Sequence, residues 1–262
     1  MDILDRILAA KRAEVEAEKR IVPMRRAIEM ASSARPPHAF LPALKRSGRI
    51  NIIAEVKRAS PAKGAIRPAA DPVAVARAYA AAGAAAISVL TDERFFLGSP
   101  AHLEEARRAV DVPLLRKDFL FEEYQIYRSR ALGADAVLLI ARVLEPRLLT
   151  TLIGITRSLE MEALVEVHSE EDTQRAIDCG ASLFGVNNRD LATLATSVET
   201  SLRLAERLPK ESVKVSESGI ETRADIDRLR AAGYDAFLIG ERLMRDPDPG
   251  AALAALVNGA PA

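Results

Sequence analysis

The chain is short of the residues that staple, ligate or carry an excess of one charge. Its single cysteine, Cys179, rules out an intrachain disulfide, and a reducing compartment is expected. The three histidines, His38, His102 and His168, are scattered, and no Cys-x-x-Cys or His-x-x-x-His spacing occurs, so no metal site is expected. Neither charge sign dominates: 37 Lys and Arg face 37 Asp and Glu. That balance excludes a strongly basic nucleic-acid binder and an acidic disordered tail. Long apolar runs are missing too. The longest, 78–90, is mostly alanine interrupted by Gly83 and falls short of the roughly 20 residues that span a bilayer. The first residues, Met1-Asp-Ile-Leu-Asp-Arg6, carry acids where a secretory leader carries bases, and no apolar segment follows them. A cytoplasmic protein is expected, with no nucleic-acid and no membrane partner.

What is present is apolar material for a large core. Hydrophobic residues make up 49% and charged residues 28% of 262, which suits two ordinary domains or one α/β barrel of roughly 250 residues. Residues 1–49 read as a helical preface, with Ile3, Ile7, Leu8 and Val15 at helical spacing, a break at Ser32-Ser-Ala-Arg-Pro-Pro37 and a second short helical pattern over 40–45. From Ile50 the texture changes. Apolar runs at 50–57, 86–90, 112–117, 136–140, 163–167, 183–187, 213–217 and 236–239 alternate with alanine-, arginine- and glutamate-rich segments, which predicts eight strands. The remaining 213 residues divided by eight leave about 27 each, enough for one strand, one helix and two loops. Asp71-Pro72 and Ser99-Pro100 place a cap before a first-turn proline, and Ser169-x-x-Asp172 and Thr222-x-x-Asp225 resemble capping boxes. Gly83-Ala-Ala, Gly133-Ala-Asp, Gly180-Ala-Ser and Gly233-Tyr-Asp recur at intervals of 50, 47 and 53 residues, two βα units apiece. Alternating βα units build a parallel sheet, and eight of them close into a (β/α)8 barrel. The competing doubly wound sheet requires a Gly-x-Gly-x-x-Gly turn after its first strand, where this chain reads Lys57-Arg-Ala-Ser-Pro-Ala-Lys-Gly64.

In a barrel the strand ends and the loops after them form the active face. Glu55 and Lys57, two apart, share one face of the first strand; Lys117 ends the third, Glu166 falls near the end of the fifth, Asn187 ends the sixth and Glu217 the seventh. A strand-end charge taken singly is often just solvated, and Glu55 with Lys57 also suits a structural ion pair. As a set these six residues gather on one rim, where Lys117 and Glu166 offer an acid and a base for proton transfer. Ser216-Glu-Ser-Gly219 and Ile239-Gly-Glu-Arg242 put glycines after strands seven and eight, the recurrent phosphate position of barrels, although single glycines are usually turn residues. Phe95, Phe96, Phe119 and Phe121 stand near the ends of strands two and three, as core packing or as a platform for a flat aromatic substrate.

At these residues the chain resembles the indole-3-glycerol-phosphate synthase family over nearly its full length. The resemblance is carried by Ile53-Ala-Glu-Val-Lys-Arg-Ala-Ser-Pro-Ala-Lys-Gly64, Ser88-Val-Leu-Thr-Asp-Glu-Arg-Phe-Phe-Leu-Gly-Ser99, Leu115-Arg-Lys-Asp-Phe119, Leu164-Val-Glu-Val167, Gly185-Val-Asn-Asn-Arg-Asp-Leu191, Val215-Ser-Glu-Ser-Gly-Ile220 and Phe237-Leu-Ile-Gly-Glu241. It implies one barrel domain over 1–262, with 1–49 a helical extension over the mouth. It also implies a lyase that closes 1-(2-carboxyphenylamino)-1-deoxyribulose 5-phosphate to indole-3-glycerol phosphate in tryptophan biosynthesis, without a cofactor.

By the same resemblance Lys117 is the general acid, Glu166 a general base and Lys57, held by Glu55, the second catalytic lysine. Asn187, Glu217 and Ser218 orient substrate. Ser60, Gly219, Gly240 and Glu241 surround the phosphate, Arg189 lies near the anionic substrate, and Phe96, Phe119 and Leu238 flank the aromatic ring. Ala62 departs from a family pattern that often has serine there. A monomer is expected, with a weak homodimer as the alternative. Other readings are a neighbouring phosphate-binding barrel such as phosphoribosylanthranilate isomerase, which uses a cysteine and an aspartate, and a catalytically silent scaffold. Arg116, of opposite parity to Lys117, has no role that the sequence explains.

Overall fold

A computed structural model describes residues 3–190 and 195–258; Leu191, the last residue of one matching stretch, lies outside them. Eight parallel strands close on themselves: β1 (Asn51–Val56), β2 (Ala86–Leu90), β3 (Leu114–Lys117), β4 (Ala136–Ile140), β5 (Glu162–Val167), β6 (Leu183–Asn187), β7 (Val213–Glu217) and β8 (Ala236–Ile239), with β8 paired back to β1. All eight expected strands are present. β3 starts two residues later than expected because Pro113 has no N–H to donate to a ladder; its carbonyl still accepts from Ile87 N at 2.9 Å. A small antiparallel pair, Ala59–Ser60 with Gly64–Ala65, was not anticipated; it folds the segment after β1 into a hairpin.

Helix starts follow their caps. Asp71 accepts from Val73 N, Ser99 from Ala101 N, and Thr222 and Asp225 complete a capping box. Ser169 makes only half of one: it accepts from Asp172 N, but the Asp172 carboxylate reaches back to His168 N at 3.1 Å. The recurring glycines have a backbone reason. Gly83, Gly133, Gly180 and Gly233 each end a helix with φ between 81° and 93°, a conformation that a side chain disfavours. Two of the repeats go on to aspartates, and Asp135 and Asp235 accept the backbone N–H of Leu114 and Lys214, tying each new strand to its neighbour.

Strand parity sorts the residues. Ile53, Leu115, Leu138, Ile140, Leu164, Leu183, Val215 and Leu238 fill the barrel, while the other parity packs under the outer helices. The residues before β1 form three helices in three places. α1 (Ile3–Ile21) crosses the C-terminal mouth, where Ile3, Leu4 and Ile7 line a cavity. α2 (Met24–Ser33) lies on the flank against the helix Glu123–Ala131, whose Arg130 donates to Ala34 O at 3.0 Å. α3 (Phe40–Leu44) plugs the opposite end, with Phe40 and Leu44 in the barrel core and Asn51 Nδ2 donating to Leu44 O at 2.8 Å. Among the described residues no helix is long and apolar enough to cross a membrane.

Candidate active site

β1 delivers Glu55 inward and Lys57 just beyond its end, and the shared parity brings Lys57 Nζ to 2.5 Å from Glu55 Oε1. The pair that the spacing suggested is made. β3, β5 and β7 deliver the next three charges to one point: Lys117 Nζ stands 3.2 Å from Glu166 Oε2 and 3.3 Å from Glu217 Oε2. Glu217 sits deepest, 1% exposed, in space left by Gly185 on β6, where a Cβ would fall 2.0 Å from its Oε1.

Burial and charge act differently on the three groups. Burial disfavours the Lys117 ammonium, but the fields of Glu217 and Glu166 outweigh it and hold its pKa above the ordinary lysine value. Glu166 is likewise penalised by burial, yet Lys117, His168 and a hydrogen bond from Asn187 bring it below the usual carboxylate range. Glu217 goes the other way. Burial, reinforced by Glu166 and Glu55 and only partly offset by Lys117, pushes it up to about 7. The cluster therefore holds a lysine kept charged, a glutamate kept ionised and a second glutamate pushed toward its neutral form, the separation of pKa values that acid–base chemistry requires.

Two connected cavities open above this cluster. The larger, about 390 Å³, is polar and lined by Lys63, Arg189, Gly219, Gly240, Arg242 and Arg245 among others. The smaller, about 120 Å³, is apolar on one side, with Ile3, Leu4, Ile7, Leu90, Phe96, Phe119 and Ile140, and reaches Lys117, Glu166 and Asn187 on the other. Glu55, Lys57, Ala62, Arg189 and Ser218 border both. The site thus offers cations at one end, an aromatic wall at the other and the proton-transfer groups at the wall's foot.

Most of the expected residues meet here, with three differences of place. Ser60 borders the apolar lobe, where its hydroxyl accepts from Lys63 N at 3.3 Å, rather than standing beside Gly219. Leu238 lines the polar lobe instead of the Phe96–Phe119 wall, whose rings are 6.0 Å apart. Glu217 borders neither lobe and reaches the site only through its contact with Lys117. Glu241 faces cations: it pairs with Arg189 at 3.3 Å, with Lys63 at 3.9 Å and with Arg245.

After β7 the chain turns sharply through Ser218 and Gly219, with φ of 67° and 70°. A left-handed serine costs roughly 1–2 kcal/mol, and Asn188 holds it by donating to Ser218 O and Ser216 Oγ, both at 3.0 Å. Sequence reasoning did not assign Asn188, Arg245, the apolar face of α1 or Lys11. Arg242 and Arg245 had a signal, two bases three apart just past Gly240. Lys11 had one as well, a charge within the buried stripe Ile7, Lys11, Val15.

The family model described as indole-3-glycerol phosphate synthase matches residues 4–256. This chain belongs to that family. It is 49% identical over 261 residues to the indole-3-glycerol phosphate synthase of Carboxydothermus hydrogenoformans, covering 97% of this chain and 99% of the relative. With that of Burkholderia multivorans it shares 47% over 256 residues, 97% of this chain and 98% of the relative. Among solved structures, a thiamine phosphate pyrophosphorylase from Pyrococcus furiosus superposes with a TM-score of 0.59 at 16% identity, over 79% of this chain and 93% of the other. A mandelate oxidase mutant superposes with a TM-score of 0.61 at 16% identity, over 85% and 76%. At that identity the two structures share the barrel fold alone, so the family assignment rests on the sequence relatives.

Proposed function

We propose that the protein catalyses the reaction named by its family, closing 1-(2-carboxyphenylamino)-1-deoxyribulose 5-phosphate to indole-3-glycerol phosphate with loss of carbon dioxide and water, in tryptophan biosynthesis. The observation that carries this reading is Lys117 between Glu166 and Glu217, at the foot of an aromatic wall and beside a cationic lobe. A substrate with a phosphate at one end and a carboxyphenyl ring at the other fits that polarity. The polar lobe takes the phosphate through the backbone donors of Gly219 and Gly240 and the side chains of Lys63, Arg189 and Arg242. Glu241 keeps Arg189, Lys63 and Arg245 gathered there. The ring lies against Phe96 and Phe119, with Ser60 at its edge and Leu238 under the sugar chain.

With both ends held, the flexible substrate is folded so that its ring carbon bearing the carboxylate faces its own ketone carbon, and the conformer that can close is selected. Negative charge then develops on the ketone oxygen. Lys117 stabilises that charge and delivers the proton. Loss of carbon dioxide returns the bonding electron pair to the ring. Elimination of the new hydroxyl as water needs a second acid, for which Lys57, oriented by Glu55, is placed, and a base, for which Glu166 is ionised. Asn187 and Ser218 orient the intermediates, and Glu217 tunes Lys117 from below. The chain works as one domain, as a monomer in the cytoplasm, and no cofactor enters any step. The direct test is to supply the anilino-deoxyribulose phosphate to purified protein and follow indole fluorescence. Product formation at enzymatic rates is expected, and its absence under saturating substrate would overturn the assignment.

A further inference from the structure

Lys11 is a buried charge at the barrel mouth that the proton-transfer scheme does not use. It projects from α1 into the barrel mouth and is 4% exposed, between the two apolar residues Ile7 and Val15 on the same helix face. Its Nζ lies 2.9 Å from Asp92 Oδ2, 3.1 Å from Asp118 Oδ1 and 2.6 Å from Glu14 Oε2, and both aspartates are almost wholly buried. Each aspartate is also committed to a loop that carries one ring of the aromatic wall. Asp92 caps the short helix Glu93–Phe96, accepting from Phe95 N at 2.8 Å, one residue before Phe96. Asp118 accepts from Phe119 N at 2.8 Å, and its other oxygen is held by Thr91 at 2.6 Å and Arg116 at 2.9 Å. The opposite side of the same lobe is Ile3, Leu4 and Ile7, the turns of α1 that precede Lys11. One ammonium group therefore joins the two walls of the lobe: α1 on one side and the Phe96 and Phe119 loops on the other.

We propose that Lys11 is a positioning residue that sets the width of the apolar lobe, and through it the enzyme's selectivity for the size of the substrate's aromatic ring. The inference rests on the activity proposed above and deepens it. The joint is held by buried ion pairs at the lobe itself; the other contacts of α1 with the Phe119 loop, Arg12 over the Phe121 ring and Lys19 with Glu122, lie further along the helix. Without the cation, the buried carboxylates of Asp92 and Asp118 lose their shared partner, and α1 loosens from the two loops at the lobe, although Asp118 keeps Arg116. The lobe widens, and it does so only at the ring's end of the substrate, because the cationic lobe is built from the far side of the barrel.

The test compares kcat/KM for the natural substrate with that for an analogue carrying one methyl group on the ring. A pocket that fits a ring closely rejects one extra methyl by roughly 10–200-fold. Lys11→Met is expected to bring the two substrates within about threefold of each other, acting through KM rather than kcat, as a loosened pocket would. Inhibition by inorganic phosphate, which needs only the cationic lobe, stays unchanged. Val15→Ala, one turn further along the same buried face, weakens the packing of α1 without touching the ion pairs and should leave the selectivity intact. An unchanged ratio in Lys11→Met, or an equal loss in Val15→Ala, would overturn the proposal. Should Lys11→Met fail to fold, Lys11→Met with Asp92→Asn leaves one buried carboxylate fewer, keeps the cap on Phe95 and gives the same readout. Failure of the unaltered protein to turn over either substrate would count against the proposed activity, whereas turnover with unaltered selectivity in the variants counts only against Lys11.

Discussion

Replacing Lys117 by methionine separates the chemistry of the site from its stability. Methionine keeps the length and removes the charge that Glu166 and Glu217 share at 3.2 and 3.3 Å. A positioned general acid contributes typically 10²–10⁴-fold, or roughly 3–5 kcal/mol of transition-state stabilisation, so kcat should fall by that factor while substrate affinity stays within about tenfold. Stability responds differently. Breaking a buried ion pair costs roughly 3–5 kcal/mol when the remaining charge stays ionised, but Glu217 already titrates at about 7 and rises further once Lys117 is gone. Its folded pKa then lies well above the unfolded value of about 4.5, so the folded state binds the extra proton. The stability of the variant is therefore retained below that value and lost as pH rises through the folded pKa. Denaturant unfolding at pH 5.5 and pH 8.5 should show a small cost at the lower pH and a larger one at the higher. Adding Glu217→Gln should remove the slope and restore much of the stability without restoring turnover. Near-normal kcat in Lys117→Met, or recovery of activity in the double variant, would refute the acid role.

Gly240→Ala places a Cβ 2.5–3.1 Å from the Glu55 carboxylate and Cβ, so Glu55 must swing and release Lys57; single-turnover kinetics should show a slowed step after ring closure, with the Lys117-dependent step intact. Arg242→Gln removes one charged donor from the polar lobe, and binding of inorganic phosphate or product should weaken by roughly tenfold, the worth of one hydrogen bond to a charged group; unchanged inhibition would remove Arg242 from the phosphate site. Asp118 is penalised by burial, but Arg116 and Lys11 overcome this and hold it at about 2. Its contribution to stability is complete above its ordinary value of 3.8 and is lost as pH falls through about 2. Asp118→Asn should therefore lower the unfolding midpoint at pH 6 and leave the variant and the parent nearly equal at pH 2.

The barrel was legible because its signals are local. Alternating apolar runs, caps at Asp71, Ser99 and Thr222, and glycines that must take positive φ all report on their own few residues. The hairpin after β1 was missed for the complementary reason: Ala59-Ser-Pro-Ala-Lys-Gly64 carries no β-branched pair, and what pairs there is backbone that the barrel rim holds together. At the site, Glu55 with Lys57 could be read from spacing alone, and Lys117, Glu166, Asn187 and Glu217 from their places at strand ends. Which of them would meet could not, since the convergence of Glu217 on Lys117 depends on the space that Gly185 leaves on the neighbouring strand β6. The split of the cavity into a cationic and an aromatic lobe was also beyond the sequence, because one side of the aromatic lobe, Ile3, Leu4 and Ile7, comes from α1, more than 80 residues before Phe96.

Arg116, for which the sequence offered no role, shows why strand parity decides the chemistry. It points out of the barrel, where its guanidinium donates to Thr91, Ser129 and Asp118 at 2.9–3.1 Å beneath the helix Glu123–Ala131. A slip of β3 by one residue would exchange the faces of Arg116 and Lys117. The slip would bury a bulkier cation against Glu166 and Glu217 and strand Asp118, which is held by that same arginine and by Lys11. The outward network thus fixes the register that aims Lys117 inward. The two adjacent bases do separate work: one locks the strand, and the other, held in place by that lock, meets Glu166 and Glu217 inside the barrel mouth.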